Sequence, residues 1–402
     1  MKKTIYFICF SLLGLGSISC QKENMTAELK ISREPIVFGA QTPQTKGQPQ
    51  INALSELALQ DFGVSAWYSP DGEAFENGSP IHFLANHRFG TMDAYTDASA
   101  ASTWQGLSRT GEEKSPDPVY YPLDGSLSFF CHAPYRDTSE FKDIIMENDP
   151  AENITSRLDN YLPGSPLIRF TPEKLVSNQI DFVAAKPTLN WKKGQGKVPL
   201  DFTQHLTTSL IFKCNYVGSL NNEKIIITNI QIRNVIGSEY LYFTKEGDVL
   251  GHKWCNNISP EDGSAAMPTA SYVLSNEDGS LSREAYLSPA TAENNYQQIN
   301  PYPNGIMYVL PQTFPNNGED FNREKHPNIA VTYEIRNSLD KKVEENTLEY
   351  DLRGTQDWLI GKPIAYNITI VVAVRKELIV NSVVLTDWVD AQNQHDPEEI
   401  LY

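Results

Sequence analysis

Apolar and polar residues alternate with a period of two along most of this chain of 402 residues. In the first half the runs are EPIVFGA at 34–40, LQDFGVSAWY at 59–68, GSLSFFCHAPY at 125–135 and QIDFVAA at 179–185. In the second half they are HLTTSLIFKCNY at 205–216, EKIIITNIQIRNV at 223–235, GIMYVLPQT at 305–313, NIAVTYEIR at 328–336 and AYNITIVVAVRKELIVNSVVLTDW at 365–388. A period of two puts alternate side chains on opposite faces of a strand, and the Val, Ile, Thr and Tyr content suits a pleated surface. Asp-Gly or Asn-Gly pairs begin at Asp71, Asn77, Asp124, Asp262, Asp278, Asn304 and Asn317, where tight turns need positive-φ residues. One stretch, SEFKDIIMEN at 139–148, predicts a connecting helix, with Phe141, Ile144 and Ile145 on one stripe.

The segment TLNWKKGQGKVPL, 188–200, is polar, basic and glycine-interrupted between two strand-like runs, and reads as an interdomain linker. It divides the chain into an N-terminal domain at 34–190 and a C-terminal domain at 198–402. The fold class predicted is all-β, two antiparallel β-sandwich domains in tandem, each with apolar inner faces and polar outer ones.

The first residues do not belong to this pattern. Lys2 and Lys3 precede the apolar run TIYFICFSLLGLG, too short to cross a bilayer, so residues 1–19 read as an export signal. Ser17 and Ser19 stand before Cys20, the arrangement a lipoprotein signal peptidase needs to leave an acylated cysteine, although a bacterial lipobox usually has Leu where Ser17 stands. A plain secretory signal is the alternative. Residues 20–33, beginning CQKEN, form a charged tether, and a multiply acylated Cys20 would hold the chain stably in a membrane.

The net charge is -17, and loss of the signal removes two lysines and no acid, leaving -19. Such a surface repels phosphate backbones and makes nucleic acid an unsuitable partner. Beyond Cys9 and Cys20 there remain Cys131, Cys214 and Cys255, an odd number at no metal-like spacing, and Cys131 and Cys214 read as small buried hydrophobes.

The common catalytic signatures are absent: no nucleophile elbow, zincin helix, phosphate loop or calcium loop occurs. No catalytic residue, metal ligand or cofactor is assigned. His82 and His87 have no acidic or Cys neighbour in sequence to complete a metal site. Asp181 and Asp387, each within a strand-like run, read as hydrogen-bonding structural acids. Trp67, Tyr68 and Trp104 could stack on sugars but fit core or edge packing better.

Several runs, in order, resemble the fimbrillin family, the two-domain subunits of type V pili of Bacteroidales. They are DFGVSAWY at 61–68, VYYPLDGSLSFFCHAPY at 119–135, QIDFVAA at 179–185, VPLDFTQHLTTSLIF at 198–212, GIMYVLPQT at 305–313, and WLIGKPIAYNITIVVA through SVVLTDW at 358–388. The tether also resembles the surface-export signal of Bacteroidetes lipoproteins. The resemblance implies transthyretin-like Greek-key sandwiches, no enzyme activity, and a structural or adhesive subunit of the cell surface or outer membrane, with other pilus subunits as partners and an adhesive ligand it does not identify.

It also implies a mechanism. Family members are exported as lipoproteins and cut by a trypsin-like protease after a basic residue following the first strand; a neighbour's C-terminal strand fills the groove that is left. Ile36, Phe38 and Ala40 are then the removable strand. Lys46 is the processing residue that would remove both lipid and strand, although the family's usual residue is Arg; Arg33 would free the lipid alone. Ile379, Val383 and Leu385 on one face, with Val380, Val384 and Trp388 on the other, are the candidate donor strand. A central core strand could show the same two-sided pattern. The tail beyond it ends in Ile400, Leu401 and Tyr402, which a subunit contact would cover. Stalk, tip and anchor are all open positions for such a subunit. The alternatives are a surface glycan-binding lipoprotein of sandwich type and, third, a glycoside hydrolase, which would need two carboxylates at the right separation.

Overall fold

The computed structural model describes residues 29–40, 61–91, 104–108, 115–137, 140–202, 205–220, 222–255, 268–274, 285–286, 296–299, 306–372 and 376–384. It is all-β, with five sheets, mostly antiparallel, one short α-helix, Glu152–Thr155, and one 3-10 turn, Val176–Asn178, among the described residues. Within the described residues, the alternating runs of the sequence contain strands of these sheets.

The N-terminal half is built on an eight-stranded sheet. Its path runs from Val183–Ala184 through Ser126–Ala133, Phe62–Ser69, Ile81–Gly90, Trp104–Gly106 and Val37–Ala40 to Val198–Leu200, with Thr188–Trp191 also pairing to Ser126–Ala133. The sheet curls so that its two ends meet, Thr188 Oγ1 donating to the Pro199 carbonyl at 3.0 Å. The inside is an aromatic core of Phe38, Phe62, Phe89, Trp104, Phe129 and Phe202. Phe62–Ser69 and Ser126–Ala133 are buried on both faces. Their outward Trp67 and Phe130 enter a second core, with Phe170, Phe182, Phe243 and Trp254. This core is shared with a four-stranded sheet in the order Val249–Trp254, Glu239–Glu246, Leu167–Phe170, Ile144–Glu147.

The C-terminal half is a sandwich. One sheet is centred on Thr208–Gly218, parallel to Pro363–Val372, with Glu377–Val384 at its edge. The other is centred on Lys224–Ile236 and Asn328–Arg336, with Lys342–Asp351 at its edge. Between them lies the largest core, from Leu210, Phe212 and Cys214 across to Ile225, Ile227, Ile329 and Tyr333.

Two local readings of the sequence are corrected. Residues 139–148 hold a strand, Ile144–Glu147, paired antiparallel with Leu167–Phe170, where a helix was expected. Adjacent β-branched Ile144 and Ile145 suit a strand, and a sheet edge was available to receive them. Phe141 instead lies under the Arg136 guanidinium, 4.3 Å from the ring centroid. The segment 188–200 contains two strands of the N-terminal sheet, and only 192–197 between them is an exposed loop. The strands Leu167–Phe170 and Glu239–Glu246, on either side of that segment in sequence, pair with one another.

Candidate functional site

The described part of the EPIVFGA run does not lie on the outside of the N-terminal sheet. Val37–Ala40 is an interior strand, antiparallel to Trp104–Gly106 on one side and parallel to Val198–Leu200 on the other. The residues before it, Ile31–Pro35, pair separately with Tyr120–Pro122, and the Ile36 N–H reaches the Val119 carbonyl at 2.7 Å. A single ten-residue segment therefore supplies the backbone partner for three other pieces of chain.

Its apolar face enters the aromatic core. Ile36 and Phe38 are 1% and 0% exposed. The Phe38 ring packs edge-on against three others, Phe62 at 5.5 Å, Phe89 at 4.9 Å and Phe129 at 5.4 Å between centroids. Edge-to-face rings at such spacings add about 0.5–1.5 kcal/mol per pair to the area they bury. The polar face is held by the exposed loop 192–197. Gly194 N–H donates to Glu34 Oε1 at 3.0 Å, and Lys193 Nζ donates to the Leu123 carbonyl at 3.1 Å. The Lys197 side chain lies over Gly39, where an added Cβ would come within 2.9 Å of it. Glycine at 39 is what lets this lysine close over the strand.

Taken away, this segment would leave the facing edges of Trp104–Gly106 and Val198–Leu200 unpaired over a slot lined by Phe62, Phe89 and Phe129. Such a slot accepts another extended strand, by main-chain hydrogen bonds and by one apolar side chain at every second position.

At the other end of the chain, Glu377–Val384 is an edge strand, paired antiparallel with Pro363–Val372 on one side. Val380 is 9% exposed and packs in the C-terminal core, whereas Ile379, Val383 and Val384 are 48%, 46% and 39% exposed. The strand is thus apolar on both faces and buried on one. The Lys376 ammonium pairs with Glu344 at its start.

Of the residues singled out in the sequence, Ile36 and Phe38 meet in one core, and Ala40 pairs with Leu200 in backbone register. Arg33 is exposed within Ile31–Pro35, in a strand paired to Tyr120–Pro122. Cys20, Lys46, Leu385 and Trp388 lie outside the described residues, as does Asp387. The walls of the slot, Trp104–Gly106 and Val198–Leu200, and the loop over it were not foreseen. Each wall is three residues long, too short to show a period.

The residues weighed for chemistry have packing roles. Trp67, Tyr68 and Trp104 are 4%, 7% and 2% exposed, leaving little open face for a sugar. Tyr68 donates to Asp124 at 2.9 Å, and burial together with that carboxylate pushes its phenol up to about 12. His82 packs on Trp67, and His87 lies 3.9 Å from Asp117. Asp181 holds buried His205 at 2.5 Å. Cys131, Cys214 and Cys255 are buried, and for the first two burial raises the pKa far above the usual thiol value. Among the described residues no group of three His, Cys, Asp or Glu side chains is arranged to hold a metal.

A search of curated proteins gives no significant match. Among solved structures, a candidate cell adhesion protein from Bacteroides uniformis is 15% identical, with 88% of this chain and 99% of that one covered and a TM-score of 0.40. The fimbrial anchor protein Mfa2 from Porphyromonas gingivalis is 9% identical, over 88% of this chain and 99% of that one, with a TM-score of 0.30. A candidate polysaccharide-binding protein from Bacteroides thetaiotaomicron is 9% identical, over 88% and 98%, with a TM-score of 0.31. The model of the fimbrillin-like family matches residues 68–388, beginning inside the strand Phe62–Ser69 and ending beyond the last described strand. With that match over most of its length, the chain belongs to the fimbrillin-like family, which implies a fimbrial component of the cell surface.

Proposed function

We propose that this chain is a structural, adhesive subunit of a type V pilus that polymerises by strand exchange. It is exported as a lipoprotein through Cys20 and reaches the outer surface held by lipid. A trypsin-like protease then cuts after Lys46, removing the lipid together with the segment that carries Ile36, Phe38 and Ala40. A strand from a neighbouring subunit, presenting Ile379, Val383 and Leu385 or Val380, Val384 and Trp388, takes its place.

The observation that carries this reading is the seat of the first strand. Val37–Ala40 lies between two strands that otherwise face each other across an aromatic slot. Burying Ile36 and Phe38 contributes about 1.5–3 kcal/mol each, so an empty slot is a strong acceptor for another apolar strand. Arg33 is the weaker processing position. It is itself within a paired strand, and a cut there would leave Val37–Ala40 seated.

The test is the N-terminus of the protein recovered from the native cell surface, read by intact-mass spectrometry. A chain starting at Gly47 is the expected result. A chain still starting at acylated Cys20 overturns the polymerising subunit.

A further inference from the structure

We propose that the exposed loop 192–197 is a latch: it closes over the seated first strand and sets how fast that strand leaves once the chain has been cut behind it. The inference rests on the strand-exchange reading and adds to it the element that controls the exchange.

Topology places the loop for this role. It joins Thr188–Trp191 to Val198–Leu200, the two ends of the curled sheet that meet where Thr188 Oγ1 donates to the Pro199 carbonyl. Val198–Leu200 is also the parallel partner of Val37–Ala40. The latch and one wall of the slot are therefore a continuous piece of chain.

The loop is a preformed turn. Lys192 N–H donates to Gln195 Oε1 at 2.6 Å, and Gln195 N–H to the Lys192 carbonyl at 3.2 Å. Gly194 and Gly196 have φ of 83° and 89°, and a Cβ added at either would meet nothing within 4 Å. Glycine serves the backbone there and not the packing, so at those two positions the turn stands off the body.

It grips the first segment on both sides of the buried pair Ile36 and Phe38. Ahead of them, Gly194 N–H donates to Glu34 Oε1 at 3.0 Å. Behind them, the Lys197 side chain covers Gly39, within 2.9 Å of where a Cβ would stand. A third contact closes the circuit: Lys193 Nζ donates to the Leu123 carbonyl at 3.1 Å, and Leu123 N–H donates to the Lys30 carbonyl at 2.8 Å. The ladders hold the strand by its edges and the rings hold its apolar face, which leaves the side covered by the loop as its way out. A short exposed loop opens at lower free energy than a buried sheet, so opening of the loop comes first and the ladders part afterwards.

The test replaces residues 42–46 of the full chain with a specific protease site and cuts the purified protein. Native mass spectrometry then follows loss of the N-terminal fragment, with excess acetylated peptide of residues 30–40 present to refill the slot. Glu34→Gln, which puts a neutral acceptor in place of a charged one, and Lys197→Ala, which uncovers Gly39, should each speed release about threefold to tenfold. Gly39→Ala should do the same by pushing Lys197 aside, and combining it with Lys197→Ala should add nothing, because both break one contact. Glu34 and Lys197 lie outside the aromatic core, so their variants should keep the fold. Equal release rates in the cut chain and its variants, whether fast or slow, overturn the latch. Because the cut is made on purified protein, this outcome is separate from native processing: a native chain starting at acylated Cys20 would overturn strand exchange and leave this measurement standing.

Discussion

At the scale of single residues, Phe38 and Glu239 are buried with opposite consequences. Phe38 has no exposed surface and touches three rings, so Phe38→Ala leaves a cavity that the curled sheet cannot collapse around. The expected cost is about 3–5 kcal/mol, read as a lower urea midpoint of the N-terminal half. Glu239 is also fully buried, and neither carboxyl oxygen has a hydrogen-bond partner among the described residues. Burial pushes its pKa from 4.5 up to about 8. Between those values the folded chain holds a proton that the unfolded chain has released. The contribution of Glu239 to stability therefore falls as pH rises from 4.5 toward 8, by up to about 1.4 kcal/mol per pH unit; below 6.5 the buried His132 and His252, lowered to about 4, add the opposite slope, so the fall shows between about 6.5 and 8. Glu239→Gln should remove that fall; urea unfolding of both proteins at several pH values between 6.5 and 8 checks it.

At the scale of elements, the turns were the most legible part of the sequence. Gly72, Gly125 and Gly318, from three of the Asp-Gly and Asn-Gly pairs, have positive φ of 87°, 73° and 75°. Two of these turns clasp each other, Gly125 N–H donating to Asp71 Oδ1 at 3.0 Å. A Cβ at Gly125 would stand 2.4 Å from the Ser69 carbonyl oxygen, which is backbone. Gly125→Ala should therefore cost more than the roughly 1–2 kcal/mol of left-handed strain alone, seen as a fall in Tm. Long strands such as Asn328–Arg336 were legible as well, because one-sided burial imposes the period. What periodicity could not supply was the partner. Ile144–Glu147 is four residues long with three apolar positions, a pattern that fits a helical stripe equally well until Leu167–Phe170 is known to lie beside it. Val198–Leu200 looked like linker because its strand identity comes from Val37–Ala40, about 160 residues away in sequence.

At the scale of the molecule, the two ends of the chain are unequal partners for exchange. The first strand is held by backbone pairing on both sides and by aromatic packing, so on the proposed mechanism its release needs both a cut and a replacement. The last described strand, Glu377–Val384, is bonded along one edge and places one well-buried side chain, Val380, in the core. Lifting it away forfeits one edge ladder and modest apolar burial. Setting the same side chains among Phe62, Phe89 and Phe129 recovers a ladder on both sides and covers the apolar face that is now exposed. On the proposed strand exchange, free energy would favour transfer from the C-terminal edge of one molecule to an emptied N-terminal slot of another, and oppose it while the slot is filled. A chain shortened to end at Val372 should keep its C-terminal core, because that core is built mainly by Thr208–Gly218, Lys224–Ile236, Asn328–Arg336 and Pro363–Val372. After removal of residues 1–46 it should accept a strand but donate none. Mixed in small proportion with full-length chains processed in the same way, it should shorten the polymers that electron microscopy and light scattering detect, and alone it should remain monomeric. Polymers formed by the shortened chain alone would place the donor elsewhere in the sequence.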